Sequence, residues 1–249
     1  MTVYYLARFR KGDFGYIVSG AGEYFHDYLH GSENVRRHRF GAEWMRHATM
    51  PPFYYPTHSV SMIVGVTGAR VLSVCGMGVK HRPAPGEVDF TKVPDRIYRN
   101  DFHNEVMLCS MSDGSTARFI EARRIGYWHR PGSVGMSLYG SEGCFEQQIA
   151  PPGAGHVGQS AVWTGKLKES VEDVSELLTC RNTAREDARS VAAATGGLGA
   201  EAFTLASRVH RLDLLPKEYA GLPNGHEGSH QFLIHEFVTA CVDRVHPPN

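Results

Sequence analysis

Glu105-Val-Met-Leu-Cys-Ser-Met-Ser-Asp-Gly-Ser-Thr-Ala-Arg-Phe-Ile-Glu-Ala122 decides how the chain folds. Two β-rich runs, Glu105 to Ser112 and Ser115 to Ala122, flank Asp113-Gly114. An Asp-Gly pair tolerates the positive φ angles of a tight two-residue turn, so the stretch predicts a β-hairpin. Further on, Val134 to Tyr139 and Cys144 to Gln148 flank Gly140-Ser-Glu-Gly143, a second hairpin signal. Successive hairpins build an antiparallel meander and not a βαβ wind. Upstream, Ala69 to Met77 is apolar and β-branched, and Tyr16 to Phe25 is a strand carrying Gly20 and Gly22. Glycines inside a strand imply that something packs closely against its backbone.

Helical patterns lie outside this middle. Val3 to Lys11 reads as the tail of a helix ended by Gly12, and Ser59 to Val66 is a short candidate helix. Leu167 to Leu178 places Leu167, Val171, Val174 and Leu178 on one face. Ser229 to Arg244 has Ser229 as a cap and Leu233, Phe237, Ala240 and Cys241 as its stripe. Ser32 to Thr49 is polar, basic and irregular. The expected fold is α+β: a mostly antiparallel open sheet with helices packed on one face, forming one domain over residues 1–249. A helix starting at the initiator Met without a cap leads us to expect a chain cut inside a longer protein.

Composition excludes several classes. Lys plus Arg equals Asp plus Glu at 26 each, so no global field draws nucleic acid or a membrane surface. Arg36-Arg37-His38-Arg39 reads as a solvated loop. The five cysteines are scattered, which argues against a disulfide framework or a Cys-based zinc site and favours a reducing compartment. With no signal peptide and no apolar run of spanning length, cytoplasm is the expected location.

Two strings imitate known motifs. His226-Glu-Gly-Ser-His230 matches H-E-x-x-H, yet Gly228 and Ser229 interrupt the helical turn that would bring both imidazoles to one metal; no metal is expected. Gly153-Ala-Gly-His-Val-Gly158 matches G-x-G-x-x-G, but Pro151-Pro152 breaks the strand such a loop needs. Two clusters remain. Glu23-Tyr-Phe-His-Asp27 ends the first strand with Tyr24 and His26 on one face. Pro51-Pro-Phe-Tyr-Tyr-Pro-Thr-His58 holds a His at a rigid aromatic corner, and imidazole titrates near neutrality. Each reads either as a packed aromatic corner, the commoner case, or as a site.

Taken together, three segments resemble the Gfo/Idh/MocA oxidoreductases. Gly12-Asp-Phe-Gly-Tyr-Ile-Val-Ser-Gly-Ala-Gly-Glu-Tyr24 looks like the opening of their second domain. Ser137-Leu-Tyr-Gly-Ser-Glu-Gly-Cys-Phe-Glu146 looks like their strand-hairpin signature, and Leu222 to Val238 resembles a late loop and helix. The resemblance implies the substrate-side and oligomerisation domain of an NAD(P)-dependent sugar or polyol oxidoreductase. The nucleotide-binding Rossmann domain and its Glu-Lys-Pro lysine would be missing here, so this chain alone would be inactive. It implies NAD or NADP as cofactor, a sugar or polyol as substrate, and self-association through the sheet face. Members place a catalytic His four residues after an Asp; His58 falls at the His position, with Tyr54 where the Asp would be. Tyr55-Pro-Thr-His58 looks instead like the string of the NAD-dependent α-N-acetylgalactosaminidases, a branch that oxidises transiently and eliminates the glycosidic substituent. The residues so implied are His58 and Tyr55 as catalytic, and Tyr24, His26, Arg124 and His129 as substrate-binding. A third reading is a non-catalytic binding or oligomerisation module.

Overall fold

The computed structural model describes residues 2–25, 33–125, 134–149, 159–178, 181–182, 205–206, 216–219 and 229–246. Its helices are α1 (Thr2–Tyr5), α2 (Glu33–Phe40), α3 (Val60–Thr67), α4 (Ser175–Leu178) and α5 (Ser229–Asp243). Eight strands form one sheet: β1 (Ile17–Phe25), β2 (Val71–Lys80), β3 (Phe102–Met111), β4 (Thr116–Ala122), β5 (Val134–Gly140), β6 (Gly143–Ile149), β7 (Gln159–Gly165) and β8 (Val171–Asp173). The chain divides into two compact units, Arg10–Asp173 and a second made of Met1–Phe9 with Val174–Asn249.

The sheet of the first unit runs β2-β3-β4-β1-β5-β6-β7-β8. The fold is α+β, and every neighbouring pair but one is antiparallel. Both hairpins form. At the first, Gly114 takes φ 86°, and Asp113 Oδ1 accepts from Ser115 N at 3.0 Å and Ser115 Oγ at 2.6 Å. The simple meander does not. β1 is inserted between β4 and β5 and runs parallel to β4, with Gly20 opposite Ala117, Gly22 opposite Phe119 and Tyr24 opposite Glu121. Its glycines explain the placement. A Cβ on Gly22 would lie 2.3 Å from the Ser59 carbonyl oxygen, and one on Gly20 2.9 Å from Ile63 Cδ1. α3 therefore sits directly on the β1 backbone. Ile63, Val66, Phe119, Leu138 and Phe145 fill the space around it, all fully buried. This packed layer is the core.

The other sheet face carries Met77, Val79 and Leu108, all exposed. A shallow hollow of about 440 Å³ opens there, lined by Ser19, Leu108, Ser110, Thr116 and Arg118.

Three local readings are corrected. Leu167 to Leu178 is not one helix: Leu167 takes φ 52° in a short 3-10 turn, Val171–Asp173 pairs with β7, and only Ser175–Leu178 is α-helical. The open edge of β7 offers ladder hydrogen bonds, and these override the apolar period. Ser32 to Thr49 is not irregular throughout, since Glu33–Phe40 is α2. This helix shows no apolar stripe because its arginines lie over aromatic rings, Arg37 at 4.8 Å from Trp44 and Arg36 at 5.0 Å from Phe90. Near the amino terminus, helical turns continue past Gly12 to Phe14.

In the second unit, α5 starts at Ser229 as expected. Ala240 is buried, whereas Phe237 and Cys241 are exposed. A short ribbon pairs Arg181–Asn182 with Leu205–Ala206. Residues 153–158 and 226–228, which hold most of the two imitated motifs, lie outside the described residues.

Candidate functional site

Pro52 and Pro56 each start a tight 3-10 turn, Pro52–Tyr54 and then Pro56–His58, because a fixed φ near −65° suits the first helical positions. Ser59 N closes the second turn on the Pro56 carbonyl at 3.2 Å. His58 is thereby held one residue before the cap of α3. Its Nδ1 lies 3.1 Å from Thr57 Oγ1. When Nδ1–H donates to that hydroxyl, Nε2 keeps its lone pair for use as a base.

Three of the residues singled out in the sequence come together. The Tyr24 ring stacks on the His58 ring with centroids 4.5 Å apart and planes at 23°. Tyr55 is tilted against the same imidazole at 5.2 Å. Tyr24 is only 7% exposed and forms the floor; Tyr55, at 53%, stands at the surface. Arg124 is placed differently, its guanidinium donating to Glu87 at 2.6 Å. His26 and His129 lie outside the described residues.

Beneath the stack lies a polar group that the sequence reading passed over. Glu121 is fully buried on the apolar face of β4, its carboxylate accepting from Ser59 Oγ and, at 2.7 Å, from Arg123. Arg123 also donates to the Pro52 carbonyl at 3.0 Å, and its guanidinium carbon lies 4.7 Å from the centre of the Tyr24 ring. Glu105, opposite Glu121 in the β3–β4 ladder, accepts from Phe53 N at 3.2 Å. Burial pushes the Glu121 carboxyl up to about 7, outweighing the lowering by Ser59 and Arg123. Burial raises Glu105 as well. A signal was present: Ala117, Phe119 and Glu121 alternate on one strand face, so a carboxylate stands in an apolar row.

Among the described residues, no cluster of three or more His, Cys, Asp or Glu is arranged to hold a metal. No described helix is long and apolar enough to cross a membrane.

The fold is shared with solved oxidoreductases. An oxidoreductase domain protein from Kribbella flavida matches 99% of this chain and 57% of its own, with TM-score 0.53 and 16% identity. An oxidoreductase from Agrobacterium radiobacter, solved with NAD+, L-tartaric acid and magnesium, matches 99% of this chain and 53% of its own, with TM-score 0.57 and 9% identity. An inositol dehydrogenase homologue from Azotobacter vinelandii, solved with NAD+, matches 95% and 49%, with TM-score 0.51 and 13% identity. This chain spans about half the length of these structures. No protein-family model matches the sequence, and no curated protein does.

In sequence, the segment that follows the parallel strand β1, His26-Asp-Tyr-Leu-His-Gly-Ser32, lacks the spaced glycines that let a pyrophosphate reach a helix amino terminus.

Proposed function

We propose that this chain is the substrate-side domain, residues 1–249, of an NAD(P)-dependent sugar or polyol oxidoreductase of the Gfo/Idh/MocA type. NAD or NADP would be held by a nucleotide-binding domain outside this chain. The observation that carries the reading is the Tyr24–His58 stack, set at the start of α3 on a fold shared with solved oxidoreductases. In this reading His58 takes the proton of the sugar hydroxyl, with Thr57 orienting its ring and Tyr55 beside it at the surface. Tyr24, His26, Arg124 and His129 are proposed to surround the sugar. The open sheet face is proposed to bury itself against further copies of the chain in the cytoplasm.

The test is a fusion to a nucleotide-binding domain of the family. His58→Ala should lower polyol-dependent NADH formation by roughly 100-fold or more, the usual scale for losing a general base. Its melting temperature should change little, because the half-buried ring fills no core volume. Near-normal turnover with a large loss of melting temperature would make His58 structural.

The string Tyr55-Pro-Thr-His58, with Tyr54 where an Asp would stand, favours a second reading, a glycosidase that oxidises transiently and eliminates. Release of nitrophenol from a nitrophenyl α-glycoside without net NADH formation would select it.

A further inference from the structure

The loop that bears His58 makes no ladder bond to the sheet it covers. It is held at three points instead, by side chains of β3, β4 and the residue just beyond β4, of which Glu121 is fully buried and the other two partly so. Arg123 binds the Pro52 carbonyl, Glu105 the Phe53 amide, and Glu121 the Ser59 hydroxyl. Arg123, whose side chain is 11% exposed, also reaches Glu121 and the Tyr24 ring. The backbone behind it is fixed in turn: Asn104 Oδ1 accepts from Arg123 N at 3.0 Å and from Arg124 N at 3.1 Å.

We propose that Glu121 and Arg123 are positioning residues, a buried clamp that fixes both ends of the Pro52–Ser59 loop and holds Tyr24 face to face with His58. The catalytic consequence rests on the reading of His58 as the base; the clamp itself rests on contacts alone. A planar guanidinium suits this role, since its Nη2 donates to the Glu121 carboxylate and the Pro52 carbonyl at once while its flat face lies near the Tyr24 ring. An ammonium has no such face to lay against the ring. The two partners also need each other: removing either side chain leaves a buried hydrogen-bonding group without its partner. Glutamine in place of Glu121 keeps the shape and the acceptor oxygen, so it should preserve the clamp where alanine does not.

The test reads the stack directly in the chain itself. A ring stacked at 4.5 Å on tyrosine feels its ring current, so the His58 ring protons should resonate upfield. His58→Gln assigns the signals by nuclear magnetic resonance, and Tyr24→Leu sets the zero of the ring-current shift. Arg123→Met and Glu121→Ala should lose most of the upfield shift while far-ultraviolet circular dichroism stays unchanged, and Glu121→Gln should keep most of it. If Arg123→Met does not fold, Arg123→Lys is judged by the same criterion. Full retention of the upfield shift in the Arg123 variant would overturn the clamp, as would a loss in Glu121→Gln equal to that in Glu121→Ala. Failure of the base assignment appears elsewhere, as unchanged turnover of the His58→Ala fusion, because the ring-current readout involves neither ligand nor turnover.

Discussion

Gly22→Ala perturbs the fold and the site through one atom. The added Cβ would stand 2.3 Å from the Ser59 carbonyl oxygen, 3.0 Å from its carbon and 3.3 Å from Phe119 Cδ1. Non-bonded carbon contacts settle near 3.5 Å, so the amino end of α3 must retreat from β1 by about 1 Å. Both obstructing Ser59 atoms are backbone, so no side-chain rotation relieves them. Forcing a methyl into a packed core costs about 1–3 kcal/mol, and sometimes more. Restricting the unfolded chain returns about 0.4–1 kcal/mol. The net destabilisation is about 1–2 kcal/mol, or roughly 2–8 °C in melting temperature for a chain of this size. Urea unfolding followed by fluorescence measures it, with the slope checked for constancy. Gly12→Ala is the control: nothing lies within 4 Å of its Cβ, so it should be neutral or slightly stabilising. A Gly22→Ala midpoint at or above wild type would refute the close approach of α3 to β1. With it would go the account of how His58, the residue before Ser59, is placed.

Other expectations concern charge, surface and cofactor. Glu121 titrates near 7 in the fold against an ordinary 4.5. The folded state therefore keeps a proton that the unfolded chain has lost, and stability falls as pH rises from about 4.5 to about 7, by about 3 kcal/mol. Glu121→Gln lacks this slope, so its stability relative to wild type should rise across that window; a difference flat with pH would refute the buried acid. The exposed Met77, Val79 and Leu108 should drive self-association. Light scattering of wild type should exceed 27.6 kDa and fall to it in Leu108→Asp; a wild-type monomer at high concentration would count against this. Calorimetric titration of the chain with NAD or NADP should show no micromolar binding, the level of about −8 kcal/mol.

Turn chemistry is local, and what it decides was legible in the sequence. Asp113-Gly114 and Gly140 to Gly143 each close a hairpin between the strands they separate. The partner of β1 was not legible, because Gly22 meets Phe119 far along the chain and no local signal selects a parallel neighbour. The glycines did announce a close approach, but not that α3 makes it. At Leu167 to Leu178 an apolar period of helical spacing lost to the edge of β7. His58, Tyr55 and Tyr24 were visible as an aromatic corner and a strand end, and the fold brings their rings together. Glu121 and Arg123 went unnoticed because charged residues are ordinarily taken as solvated. Only the face they share with Phe119 marks Glu121 as buried.

The unexpected parallel pair is what assembles this corner. Parallel strands end at the same edge of a sheet, so β1 and β4 deliver Tyr24 and Glu121 side by side, with Arg123 one step beyond. In a simple meander β1 would not neighbour β4, and Tyr24 would have no route to the guanidinium. Register matters as much as direction. Shifting β4 by one residue would turn Glu121 toward the open face and put Ile120 or Ala122 under Ser59. The Ser59 hydroxyl would then be buried without its carboxylate, at a cost of about 1–3 kcal/mol. Hydrophobic alternation at Ala117 and Phe119 and the polar demand of Ser59 thus specify the same register, and the position of His58 follows from both.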